Sequence, residues 1–422
     1  MFAVTSAQAA TWIIAASATG GVIFRPWGLP EAVWAVLGAL ALVVLSLLPW
    51  SEAAAAAAKG MDVYLFLTGM MVLAEIAREE GLFDWLAALA VRLAKGSQER
   101  LFALIFVVGT VVTVVLSNDA TAVVLTPAVY AAAKAADAKP LPYLFICAFI
   151  ANAASFVLPI SNPANLVLYG SHMPSLGAWL AQFTLPSILA IGATFVSLRF
   201  TQRHCLTGMI EVSVQLPRLS AEGKLAAGGI AVTAFGLLVA SALSVDLGAP
   251  TFCAGLLTAA AVSICARKWP LKIVLGVSWS VLPLVAGLFV LVAGLEHTGV
   301  ISALVAALRQ ATDRSVAAAA WECGLLVAFM SNLINNLPAG LIAASTSASA
   351  HAPSVVIGAL LIGVDLGPNL SVTGSLATIL WLVALRREQQ HVGALEFLRV
   401  GVVVMVPALI LALSALILQQ PR

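Results

Sequence analysis

Four short polar strings interrupt long apolar runs in this chain. Ser117-Asn118-Asp119 is the first and Pro159-Ile160-Ser161-Asn162-Pro163 the second. The third is Asn335-Asn336-Leu337-Pro338; the fourth joins Gly367-Pro368-Asn369 to Thr373-Gly374-Ser375. Amides and hydroxyls can donate and accept hydrogen bonds without carrying charge. The only carboxylates beside these strings are Asp119 and Asp365, and no Lys or Arg falls within them. A pocket for a carboxylate or phosphate would ordinarily include Arg or Lys. Helix N-termini could hold an anion, but an amide and hydroxyl set suits a neutral polyhydroxylated solute equally well. A charged Asp at the bilayer centre costs about 2.5–3.5 kcal/mol on insertion scales. An acid placed there can bind and release a proton as water access changes, which is the chemistry of a proton-coupled carrier.

Each of these residues also has a plainer use. Asn118, Asn335 and Asn336 can cap helices, and Asp365 can shape the turn before Gly367-Pro368. Glu75 lies inside an apolar span and can be a relay. Glu296 reaches the interface, and Asp62, beside Lys59, suits a helix start.

The elements that hold these strings follow from composition. Hydrophobic residues make up 62% of the 422 residues and charged residues 9%, against about 25% charged in a soluble domain. Apolar stretches recur from end to end without the period-2 alternation of strands, so the chain is an all-α polytopic membrane protein. The net charge of +2 and the lack of a basic block give no reason to expect nucleic acid. With no Lys or Arg before Arg25, the N-terminus lacks a signal peptide's positive region, and Ala7 to Phe24 reads as a retained span. The five cysteines form no close pair and the five histidines, His172 among them, are dispersed. No metal site, disulfide framework or cofactor is therefore expected.

The chain repeats itself. "FLTGMMVLAEIAREEGLF" resembles "LVAGLFVLVAGLEHTGVI", setting Gly69 over Gly287 and Gly81 over Gly299. "SNDATA" aligns with "INNLPA", and "NAASFVLPISNPAN" with "DLGPNLSVTGSLAT", setting Asn152 over Asp365. Two halves follow, 1–200 and 225–422, joined by a polar linker at 201–224. Each half contains spans, an amphipathic stretch, and two apolar arms around a polar tip. If the arms form a re-entrant hairpin, each half crosses five times and the second half is inverted. The expected fold is thus two inverted repeats, about ten transmembrane helices and two re-entrant hairpins. In that arrangement every Lys and Arg except Lys59, Arg309, Arg314 and Arg422 falls on one side, which the positive-inside rule makes cytoplasmic. The linker is then cytoplasmic and both termini face outward. Paired Gly- and Pro-interrupted segments point to a transporter's central site.

The strings "SNDATAVVLTPAV", "SNPANLV", "SNLINNLPAGLI" and especially "GVDLGPNLSVTGSLATILWL" resemble the signatures of ArsB-type arsenite efflux permeases of the ion transporter superfamily. The resemblance covers essentially the whole chain. It implies arsenite and antimonite efflux across the cell (inner) membrane by proton antiport, and a soluble arsenite-stimulated ATPase and a homodimer as possible partners. Asn118 and Asp119 match the family's first hairpin tip, Asn335 and Asn336 the second. Asp365, Gly367, Pro368, Gly374, Ser375 and Thr378 match the final motif. Ser161 and Asn162 complete the expected substrate-binding set of Asn118, Asn335, Asn336, Gly374, Ser375 and Thr378, with Asp119 and Asp365 for proton coupling. The family often has an acid where this chain has Asn152, and "SNLVN" where this chain has "SNPAN", so coupling falls to Asp119 or Asp365. A sodium-coupled dicarboxylate or oxyanion carrier of the same superfamily is the nearest alternative. The membrane subunit of an ATP-driven pump is another; with no Walker A string in the chain, ATP use would need a partner.

Overall fold

The computed structural model describes residues 5–170, 173–211 and 216–419; His172 and Arg422 lie outside them. Among the described residues there are twenty α-helices and no strand, only an isolated bridge between Ser97 and Met209. The first ten are α1 (Ser6–Phe24), α2 (Glu31–Val44), α3 (Trp50–Lys59), α4 (Met61–Glu79), α5 (Leu82–Ala94), α6 (Gln98–Val115), α7 (Thr126–Ala135), α8 (Leu141–Ala153), α9 (Pro163–Tyr169) and α10 (Leu176–Gln202). A π-helical turn at Ala120–Leu125 leads into α7. The second ten run in the same order: α11 (Ala221–Ala242), α12 (Gly248–Ala266), α13 (Leu271–Gly276), α14 (Val281–His297), α15 (Val300–Arg314), α16 (Val316–Ile334), α17 (Asn336–Ala350), α18 (Ser354–Leu366), α19 (Leu376–Arg387) and α20 (Ala394–Leu418).

Matched residues explain matched geometry. Gly81 and Gly299 both adopt left-handed backbone, with φ of 69° and 82°, at the junctions α4–α5 and α14–α15. A side chain is strained in that region and glycine is not. The second junction turns the chain by 77°. Gly69 and Gly287 do a different job at helix crossings. A Cβ on Gly69 would stand 2.3 Å from the Thr251 carbonyl oxygen of α12, and one on Gly287 2.7 Å from the Ala35 carbonyl carbon of α2. The crossings α4–α12 and α2–α14 are therefore the same contact made twice between the halves. Gly69→Val should separate α4 from α12 at a cost of about 1–3 kcal/mol. The expected result is a lower melting temperature in detergent, and an unchanged melting curve would refute this close approach.

The arms are hairpins that enter and leave on one side. Gly96, just before α6, accepts from Ile210 N–H at 2.9 Å, and Ala136, just after α7, accepts from Glu211 N–H at 2.9 Å. One short stretch after α10 therefore straps both feet of the first hairpin. In the second hairpin, Arg309 of α15, which leads into α16, donates to Ser349 O at the end of α17 at 2.8 Å. The two hairpins come from opposite sides, as α10 records. Gln182 near its start donates to Ser354 O, beside the feet of the second hairpin, at 2.9 Å. Arg199 near its end pairs with Glu99, at the foot of the first, at 3.0 Å. Those two positions are about 25 Å apart at 1.5 Å per residue. This is an inverted repeat.

Seven described helices are long and apolar enough to cross a membrane, nine if each bent pair counts as one span. α6 and α16 are among the seven, yet the strapping contacts make them hairpin arms. Length alone cannot separate an arm from a span. The broken segments α8–α9 and α18–α19 lie at the centre. Every residue of α8 from Pro142 to Ala153 is buried, and α18 is nearly as enclosed. Apolar character on all faces is what a central helix needs. Phe149 stacks on Phe397 with ring centroids 4.9 Å apart, and the Trp381 indole donates to Leu144 O at 2.9 Å.

Candidate functional site

Each polar string ends one helix and starts another. In the first tip, Ser117 Oγ accepts from Ala120 N–H at 3.2 Å, and Asn118 Oδ1 from Asp119 N–H at 2.9 Å. The Asp119 carboxyl takes no part in this capping. In the first break, Asn162 caps α9 by accepting from Ala164 N–H at 3.0 Å. Ser161 ties the break to the first hairpin, donating to Val114 O at 3.1 Å. In the second tip, Asn335 adopts φ 73° and its Oδ1 accepts from Leu337 N–H at 3.3 Å. The second tip is sewn to the second break: Asn336 N–H donates to Gly374 O at 2.8 Å, and Asn335 Nδ2 to Thr373 O at 3.2 Å. Ser375 caps α19, accepting from Thr378 N–H at 3.1 Å.

The two breaks exchange bonds across the halves. Asn162 of the first donates to Asp365 Oδ1 of the second at 2.8 Å. Asn152, the repeat counterpart of Asp365, donates to Asn369 Oδ1 at 2.9 Å and to Thr378 Oγ1 at 3.4 Å. Each central helix thus holds the break of the opposite half.

A small cavity of about 20 Å³ lies where these elements meet. Asn118, Asp119, Asn162 and Asn336 supply its polar wall; Val63, Leu67, Val281, Val285 and Leu376 are among its apolar lining. No Lys or Arg lines it. A volume of that size holds about one water. Four residues expected from sequence are therefore brought together. Ser161, Asn335, Gly374, Ser375 and Thr378 sit one layer behind, with the caps and ties above, and Asp365 is buried behind Asn162. Asp119 and Pro163 also face a larger vestibule of about 640 Å³. Its outer wall carries Glu75, Arg78, Asp84, Arg387 and Glu388. Glu75 accepts from Arg78 Nε at 2.9 Å, which satisfies an acid that otherwise sits in an apolar span. Asp62 accepts from Gly248 N–H at the start of α12 at 2.7 Å, and Glu296 accepts from Ser345. Neither lines the cavity.

Sequence reasoning placed Asn369 in the fourth string without giving it a partner, and saw Asn152 only as the counterpart of Asp365 and a departure from the family's acid. The signal for Asn152 was present: it is an amide within an apolar run, where an unpaired polar group costs several kcal/mol.

A family model described as Citrate transporter (CitMHS) matches residues 12–364. The chain belongs to the citrate transporter family. A member of this family is a multi-pass membrane transporter. Several relatives are named Arsenical pump membrane protein, which accords with the resemblance carried by the four strings. The one from Yersinia enterocolitica is 29% identical over 364 residues, covering 83% of this chain and 84% of that protein. The one from Escherichia coli (strain K12) is 27% identical over 410 residues, covering 94% and 96%. The Alcanivorax borkumensis YdaH transporter, whose crystal structure was described as having an unusual topology, shares the fold of this citrate transporter family chain. Its TM-score is 0.60 at 15% identity, over 87% of each chain.

Proposed function

We propose that this protein exports arsenite, and antimonite with it, across the cell membrane by proton antiport. The observation that carries this reading is the cavity wall: three amides, one carboxylate and no cation. Arsenite near neutral pH is mainly As(OH)3, an uncharged trihydroxide that such a wall can hold by hydrogen bonds once the cavity, which in this conformation has room for about one water, widens around it. Citrate carries several negative charges and would call for Arg or Lys. The relatives named for an arsenical pump favour the same cargo. Asp119, on both the cavity and the vestibule, is the residue placed to exchange cargo for a proton. Ser161, Asn335, Gly374, Ser375 and Thr378 hold the wall in shape, and Asp365 acts through Asn162.

The vestibule opens past Arg78 and Arg387, on the side of the basic residues and of the first hairpin's feet. By the positive-inside rule that side is cytoplasmic, so this conformation faces inward and both termini face out. Alternating access then requires the hairpins and broken helices to move against the remaining spans, as an elevator would. Cysteines placed at Ser6 and Ser220 should label from opposite sides of the membrane; labelling from one side would overturn this orientation.

Everted vesicles decide the cargo. Arsenite uptake should rise with an imposed pH gradient and be indifferent to sodium. Sodium-dependent citrate uptake in its place would refute the proposal. Proteoliposomes holding this chain alone should carry out the exchange, leaving a soluble ATPase as an optional partner; a homodimer is compatible with this mechanism. The described cysteines form no disulfide and line neither cavity. Replacing all five should therefore retain most of the arsenite transport, and loss of transport at normal expression would mean that thiols bind the metalloid.

A further inference from the structure

The repeat sets two residues of the vestibule wall over two residues on the other side of the membrane. The register that places Gly81 over Gly299 also places Arg78 over Glu296. The register that places Asn118 over Asn335 places Ala128 over Ser345. Arg78 and Ala128 both line the vestibule. Their counterparts touch each other: the Ser345 hydroxyl of α17 donates to the Glu296 carboxyl of α14. A pair of positions that forms the wall of an open chamber in one half is thus joined across a closed one in the other.

Side-chain chemistry makes the bond possible in only one half. Arg78 is held along its own helix, donating to Glu75 from Nε at 2.9 Å and to Glu79 from Nη2 at 2.6 Å, and the methyl group of Ala128 offers it nothing. Glu296 has no donor side chain three or four residues before it, where Ala293 and Val292 stand, and takes its partner from the second hairpin. The next residue, His297, meets Glu52 of α3, a contact among the spans that a moving hairpin need not break. Ser345 is about 13 Å along α17 from Asn336 at the tip, at 1.5 Å per residue, so the bond lies well outside the cargo cavity. Between the two, Leu337 and Leu341 of α17 and Val292 of α14 are buried, and α9, α14 and α15 pack against α17. A contact present in one conformation and absent from the other shifts the balance between them.

We propose that Glu296 and Ser345 form an outer latch, which shuts the route from Asn336 to the outer surface and, having no equivalent at the inner mouth, makes the inward-facing form the resting one. This rests on the alternating access and orientation given above. An exporter biased in this way waits with its cargo site open to the cytoplasm. When the second hairpin moves away from α14 the pair parts. Val292 and Leu341, the counterparts of the vestibule residues Ala74 and Val124, then become walls of an outer vestibule.

Labelling of the full chain with a membrane-impermeant maleimide, with no arsenite or citrate present, tests the latch. Leu341→Cys reports on the outer route in right-side-out vesicles, with Val292→Cys as a second reporter on the facing helix. Ala128→Cys reports on the vestibule in everted vesicles. Each is scored as label gained over the parent chain. Adding Glu296→Ala or Ser345→Ala should speed the outer labelling at least fivefold and slow that of Ala128→Cys. Glu296→Gln, which keeps an acceptor for the Ser345 hydroxyl, should restore most of the protection. Outer labelling unchanged in both alanine variants would overturn the latch. So would outer labelling that rises without a fall at position 128, since that is local loosening and no change of state. Because no cargo is present, failure of the arsenite proposal leaves this result standing. A reversed orientation would exchange the two sides while the reciprocal change, and with it the latch, stands.

Discussion

Asp119→Asn should abolish the response of arsenite uptake to a pH gradient while leaving the protein folded. Asp119 is half-buried, lines both the small cavity and the vestibule, and donates or accepts nothing through its carboxyl in the caps of the first tip. Asparagine keeps its volume and an acceptor oxygen but cannot take a proton. Gradient-driven uptake into everted vesicles should fall at least tenfold, about 1.4 kcal/mol of lost coupling, down to the rate without a gradient. Downhill exchange of arsenite should survive. A variant that keeps its full gradient response would remove Asp119 from the coupling step.

The second large effect concerns the bond between the halves. Asn162→Leu removes the donor to Asp365 Oδ1 and the cap of α9 at once. A lost N-cap costs about 1 kcal/mol, and leaving a buried acceptor without its donor about 1–3 kcal/mol. The single variant should therefore be recovered poorly or unfold early. The pair Asn162→Leu with Asp365→Leu should recover part of that loss, because the second change takes away the stranded acid. Fluorescence-detected size exclusion and melting curves of both variants give the comparison. A double variant worse than the single by the full cost of Asp365→Leu would mean that the two side chains act independently.

Much of this architecture could be read before any coordinates. The four interruptions, the matched glycines and the side bias of Lys and Arg gave the inverted pair of halves, because each is a local consequence of placing backbone and charge in lipid. The hairpins were harder, since α6 and α16 are long enough to be spans and only contacts at their feet decide. Harder still was the division of labour among the polar residues. Asn336 and Ser375 look alike as entries into helices, yet Asn336 faces the cavity while Ser375 spends its hydroxyl on Thr378 N–H. Sequence displays a side chain's capacity for hydrogen bonds but not how much of it the backbone has already taken. Asn152 is the clearest instance. Seen as a missing acid it looked idle, and it holds Asn369 and Thr378 of the other half.

The strap over the first hairpin carries a consequence for biogenesis. Ile210 and Glu211 are roughly 75 residues beyond the end of α7, about 4–15 s of synthesis at 5–20 residues per second. Through that interval the emerging loop sits in lipid with its feet untied. Nascent chains arrested shortly before residue 206 should expose the first hairpin to protease or chaperone capture, and chains arrested some way past residue 211 should protect it.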